Sequence, residues 1–169
     1  MSTAVRPTTA GPNVGIGQIV VSADPGIVIS ALGLGSCIGL VLADAHAGVA
    51  GMAHVMLPVS RAGATGPPGK FADTAVPALL DQVLRLGADR VRLQAKIAGG
   101  AQMFGGGGAA ASMMNIGERN AAAVREALKA IGMRVRAADT GGNAGRSMQV
   151  AVSGGAVTVR AVGGEPIDL

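Results

Sequence analysis

The sequence predicts an α+β fold: a single-domain layered α/β sandwich with a mixed β-sheet and two main helices. Three observations carry that prediction. A chain of 169 residues suits one domain with one core. Apolar residues make up 49% and charged residues only 14%, so the chain can bury such a core and is no disordered polyelectrolyte. Seven or eight short strand patterns and two helical ones then follow each other in no regular βαβ alternation.

Residues 1–13, with Pro7, Gly11 and Pro12, read as a flexible leader, and 14–169 as one domain. A strand is expected over 14–22, ended by the turn Asp24-Pro25-Gly26. β-branched residues predict a second strand at 27–32, and an apolar run a third at 38–43, separated by Gly33-Leu34-Gly35-Ser36-Cys37. After a turn at 44–48, residues 49–57 return as a strand stopped by Pro58, and 60–70 form a polar loop. A helix capped by Asp73 follows, with Val76, Leu79, Leu80, Val83 and Leu86 on its buried face, Pro77 in its first turn and Gly87 past its end. Alternation over 90–97 predicts a half-exposed strand with Arg90, Arg92, Gln94 and Lys96 outward and Val91, Leu93, Ala95 and Ile97 inward. Residues 99–108 read as a glycine-rich rim loop, and 118–131 as a second helix burying Val124, Leu128 and Ile131. Strands at 133–138, 147–152 and 156–162 close the chain around turns at Gly141-Gly142-Asn143 and Ser153-Gly154-Gly155.

Composition narrows the function. With two Phe and no Tyr or Trp, recognition of nucleic acid by base stacking is excluded. The net charge of +4 comes from scattered side chains without a basic run, which again argues against nucleic acid. The uncharged stretches 25–43 and 97–117 are broken by glycines, so no membrane insertion is expected, and the first residues carry no secretory pattern. One cysteine allows no internal disulfide, and a cytoplasmic protein is the expectation.

Few side chains are left for chemistry. Cys37 follows Gly35-Ser36, a tight turn whose backbone N–H groups can converge as a nest that favours a thiolate and supports an oxyanion. His54 is a polar residue among core positions on the next strand, so a strand pair joined at Asp44 sets it at a height comparable with Cys37. Two bland readings stand beside this one: a small buried thiol, and a buried histidine tied to a carbonyl. His46 lies in the turn and reads as exposed. One cysteine and two histidines make a poor zinc set, and neither nucleotide-binding glycine pattern is present, so no metal and no cofactor are expected.

Set together, Leu32-Gly33-Leu34-Gly35-Ser36-Cys37 and Met52-Ala53-His54-Val55-Met56-Leu57-Pro58 resemble the CheD family of chemoreceptor glutamine deamidases. The likeness continues through Gly69-Lys70-Phe71-Ala72-Asp73, Ala98-Gly99-Gly100-Ala101-Gln102, Asn115-Ile116-Gly117-Glu118-Arg119-Asn120 and Asp139-Thr140-Gly141-Gly142-Asn143, over roughly residues 14–164. The resemblance implies a fold related to bacterial toxin deamidases and hydrolysis of glutamine side chains on methyl-accepting chemotaxis receptors, with release of ammonia. It implies a cysteine nucleophile at Cys37, a histidine at His54, support from Gly35 and Ser36, and binding of the CheC phosphatase. The family's third catalytic position, a threonine six residues before the cysteine, falls on Ala31. That departure leaves a second expectation open: an impaired scaffold that docks receptors and phosphatase.

Overall fold

A computed structural model of the chain describes residues 11–102 and 116–169. Nine strands, named in chain order, are β1 (Ile19–Ser22), β2 (Val28–Leu34), β3 (Ile38–Asp44), β4 (Val49–Val55), β5 (Gln94–Gly99), β6 (Val135–Thr140), β7 (Arg146–Ala151), β8 (Val157–Ala161) and β9 (Ile167–Asp168). Helix α1 spans Ala72–Arg85 behind a single 3-10 turn at Pro68–Lys70, and helix α2 spans Ile116–Ala130.

The strands form two sheets. One has five strands in the order β1-β4-β3-β5-β6, and the other has four in the order β2-β7-β8-β9. Among the described strands only β5 and β6 pair in parallel, which requires a crossover, and α2 lies on that connection. The α+β class and the mixed sheet expected from the sequence are both present.

Three layers result. Ile38, Leu40, Leu42, Val49, Ala53 and Val55 of the five-stranded sheet pack with Val76, Leu79 and Val83 of α1 and with Val124 and Leu128 of α2. The opposite face, with Val41, Ala50 and Met52, packs on Ile29, Ala31, Met148, Val150 and Val159 of the four-stranded sheet. Every residue of β3 and β4 is buried, which explains their lack of apolar–polar alternation. Gly51 lets α1 approach, since a Cβ there would stand 2.8 Å from Leu79 Cδ1 and 3.0 Å from Val83 Cγ1.

Several boundaries differ from expectation for identifiable reasons. Asp73 does not cap α1: its carboxylate accepts from the N–H and hydroxyl of Ser60, at 2.9 and 2.8 Å, and the residue before the helix is Phe71. Because α1 starts at Ala72, Pro77 lies inside the helix and leaves the Asp73 carbonyl without its ladder donor. Leu86 follows the last helical residue and is exposed rather than buried.

The strand expected at 90–97 begins only at Gln94. Asp89 holds the preceding residues in a turn, accepting from Val91 N at its carboxylate and from Arg92 N and Leu93 N at its carbonyl. Val91, read as inward, is therefore 91% exposed. β1 starts at Ile19 rather than at residue 14, and β9 was not expected. Within the stretch read as a leader, Pro12 O accepts from Ser30 N and Asn13 Oδ1 from Leu32 N, so residues 12–14 run beside β2.

Asp44, at the end of β3, is fully buried and accepts from Ala47 N, Asp89 N and the Arg92 guanidinium. Burial alone would raise its pKa, but these donors outweigh it and hold the carboxyl well below the usual range. A depressed folded pKa stabilises the protein above the unfolded value near 4, and that stability drains as pH falls towards the folded value. Asp44→Asn is expected to cost roughly 2–3 kcal/mol at pH 7. It should also flatten the loss of stability between about pH 4 and 2, read by denaturant melts across that range.

Candidate active site

Cys37 stands in the turn between β2 and β3, one residue before β3 begins. The register of β2 with β7 shifts between Ala31 and Leu34, and Gly33 inside that irregularity has φ +67°, a conformation that suits glycine. The turn is then fixed from one side, as all three of its carbonyls are engaged. Gly35 O accepts from Ala101 N at 2.8 Å, Ser36 O from Asn120 Nδ2 at 3.0 Å, and Cys37 O from Gly100 N at 2.9 Å.

A trans peptide sends its carbonyl and the following N–H in opposite directions. With the Gly35 and Ser36 carbonyls turned towards the β5–α2 junction, the N–H groups of Ser36 and Cys37 face away from it. Among the described residues they donate to no protein acceptor. Two free, fixed N–H groups beside a thiol are what an oxyanion needs.

Glycines enforce this packing. Gly99 has φ +114°, and a Cβ on it would lie 2.1 Å from Cys37 O. Gly100 and Gly117 meet closely, a Cβ on either falling within 2.8 Å of the other's carbonyl oxygen. The part of the expected rim loop that is described therefore supports the cysteine turn: Gly99 ends β5, and Gly100 to Gln102 are hydrogen-bonded. Residues 103–108 of that loop lie outside the described residues.

His54 lies in β4, where the ladder pairs it with Gly39 and pairs Val55 with Ile38. Opposed residues of a ladder share a face, as do residues two apart on one strand. Gly39 thus faces the same way as His54, and Cys37, two residues earlier, continues that face and packs on the inter-sheet core. Gly39 sits close against the facing sheet, where a Cβ would stand 2.9 Å from Met148 Sδ and 3.0 Å from Leu34 Cδ1. His46, by contrast, is exposed in the β3–β4 turn, at the far end of both strands.

His54 is 4% exposed, and its Nδ1 lies 2.9 Å from Val14 O. A carbonyl only accepts, so Nδ1 carries the proton and the lone pair is left on Nε2. The bland reading of a histidine tied to a carbonyl and the functional reading of a base thus describe one geometry. Burial pushes the Cys37 thiol above its ordinary value, so the resting group is the neutral thiol. Burial thus favours the thiol over the thiolate, while the N–H pair expected from the turn sequence is free among the described residues.

Ala31 is fully buried in the inter-sheet core, opposite Met148 in the β2–β7 ladder. The hydroxyl absent there does not leave the imidazole unheld, because Val14 supplies a main-chain acceptor. Neither Val14 nor Asn120 was singled out as a site residue from the sequence. For Asn120 a signal existed: it is in phase with Val124 and Leu128, a polar side chain on the apolar stripe of α2. A cleft of about 700 Å³ lined by Leu57, Val59, Phe71, Ile116 and Arg119 opens just past the end of β4.

The family profile described as CheD chemotactic sensory transduction matches residues 56–161, which places the chain in the class of chemotaxis signalling domains. Relatives match over most of their length. The chain is 48% identical to the chemoreceptor glutamine deamidase CheD of Thermotoga maritima over 151 residues, 89% of this chain and 92% of the relative. It is 46% identical to the probable chemoreceptor glutamine deamidase CheD of Desulforamulus reducens over 151 residues, 89% and 90% of the two chains. The probable enzyme of the same name from Pyrococcus abyssi is 45% identical over 157 residues, 92% of this chain and 94% of that one. The chain belongs to the CheD family. Among the described residues, no helix is long and apolar enough to cross a membrane.

Proposed function

We propose that the protein is a cytoplasmic hydrolase that converts glutamine side chains on methyl-accepting chemoreceptors to glutamate and ammonia, with Cys37 as nucleophile and His54 as base. The names of the relatives support the substrate. The observation that carries the chemistry is the pinned imidazole. His54 shares a sheet face with Cys37, and its Nδ1–H is given to Val14 O, so Nε2 is the basic atom.

With a thiol as the resting state, proton transfer accompanies attack. Nε2 takes the Sγ proton as sulfur bonds to the amide carbon, and the N–H groups of Ser36 and Cys37 hold the oxyanion. The protonated Nε2 then gives its proton to the departing nitrogen, which leaves as ammonia, and a thioester remains. Water loses a proton to Nε2 and adds to the thioester carbonyl. The C–S bond breaks, the proton returns to sulfur, and glutamate is released. No step calls on a metal or organic cofactor.

Ala31 favours a second reading, in which a scaffold without the family hydroxyl acts by docking receptors and the CheC phosphatase. One experiment separates the two: receptor cytoplasmic fragment incubated with wild type and with Ala31→Thr, each glutamine followed by mass spectrometry. We expect the wild type to convert glutamine to glutamate. Ala31→Thr should be no faster, because Val14 O already orients His54. An inert wild type beside an active Ala31→Thr would overturn the enzymatic reading.

A further inference from the structure

We propose that Asn120 is a positioning residue that sets the cysteine turn against the histidine strand, through one side-chain amide shared between Ser36 O and Met56 O. The inference rests on the assignment of Cys37 and His54 above.

The β3–β4 ladder ends at Ile38 and Val55. One position further along, where Cys37 would face Met56, no described backbone hydrogen bond joins the strands. Met56 N instead donates to Lys70 O, drawing the chain after β4 towards the 3-10 turn, while Cys37 enters its glycine turn. Each end is held to its own neighbours, the cysteine turn to Gly100 and Ala101 and Met56 to Lys70, and no described backbone bond ties one end to the other.

Asn120 closes that gap. Its Nδ2 donates to Ser36 O at 3.0 Å and to Met56 O at 2.9 Å, so one planar amide spans the residue before Cys37 and the second residue after His54. Both partners are carbonyls, which fixes the nitrogen rather than the oxygen as the facing atom. Its position is itself held: Asn120 is fully buried, and α2 is seated by the contact of Gly117 with Gly100, whose N–H holds Cys37 O.

The side-chain oxygen Oδ1 is buried and has no partner among the described residues. An apolar side chain here would remove that orphaned acceptor but leave the Ser36 and Met56 carbonyls without their donor, so the amide is held for those two carbonyls. Retaining an amide whose only satisfied half points at the two carbonyls is the mark of a geometric role.

The test uses Asn120→Leu, which keeps the branched side-chain shape and removes the amide donor, with Asn120→Ser as a second variant that is smaller and keeps a hydroxyl donor. A displacement near 1 Å at a reacting pair lowers rate by about 100-fold. We therefore expect kcat for glutamine deamidation to fall by tens to about 100-fold in Asn120→Leu with KM little changed, and Asn120→Ser to fall between it and wild type.

A second arm does not depend on turnover. The iodoacetamide alkylation rate of Cys37 is compared with and without His54→Ala, in the wild-type and Asn120→Leu backgrounds. Removing His54 should change the alkylation rate strongly in the wild-type background and hardly at all without Asn120. Equal effects in the two backgrounds, or kcat kept in a folded Asn120→Leu protein, would overturn the proposal. If instead turnover survived Cys37→Ala while the alkylation cycle still showed coupling, the nucleophile assignment would fail and the positioning role would stand.

Discussion

Cys37→Ala is expected to abolish deamidation of receptor glutamines, by roughly a thousandfold or more, without loss of fold. The side chain is half-buried at the edge of the inter-sheet core, so its removal opens little space. What it takes away is the atom that forms the thioester, and no second thiol exists in the chain to replace it. Mass spectrometry of the receptor fragment reads the result at single glutamines, and circular dichroism reads the fold. Wild-type rates in a folded Cys37→Ala protein would sink the covalent mechanism and leave His54 to activate water directly.

The second large effect is structural in origin. Gly99→Ala places a methyl group on a residue at φ +114° and 2.1 Å from Cys37 O, so both backbone strain and a clash with main chain oppose it. Because the neighbouring atom is backbone rather than a flexible side chain, the strand or the cysteine turn must move. A cost of roughly 3–5 kcal/mol follows, seen as a melting temperature lower by roughly 10 °C. Activity should fall further than stability, because the displaced carbonyl belongs to Cys37 itself. Gly48→Ala is the control: its φ of +67° carries strain, but nothing lies within 4 Å, so the cost should stay near 1–2 kcal/mol with turnover kept. Equal losses in both variants would mean that the close approach at Gly99 is unimportant.

The pattern of elements was legible because local signals agreed with the tertiary structure. Val76, Leu79, Leu80 and Val83 at helical spacing mark the buried face of α1, and the β-branched run of β2 marks a strand. Legibility failed where a distant partner overrode the local pattern. Arg90 to Leu93 alternate like a strand, yet Arg92 is drawn to Asp44, 48 residues away, and Asp89 winds the segment into a turn. Asp73 has the chemistry of a cap but finds Ser60 first.

The candidate site divides along the same line. Cys37 and His54 stand out because thiols and imidazoles are scarce in this chain, and strand pairing sets His54 on the face of Gly39, two residues from Cys37. Their supports are a main-chain carbonyl at Val14 and an amide at Asn120, and neither group is unusual enough in a sequence to announce itself. The thiol's raised pKa was equally hidden, because the turn suggested donors while burial is a property of the assembled layers.

The bonds that hold the candidate pair run to both flanks of it along the chain: Val14 precedes His54 by 40 residues, and Asn120 follows Ser36 by 84. During synthesis the ribosome delivers thiol and imidazole together, on one hairpin, long before it delivers α2. A nascent chain thus carries both reactive groups without the amide that sets their spacing. On the proposed reading, the positioning amide reaches the pair only with the crossover into β6.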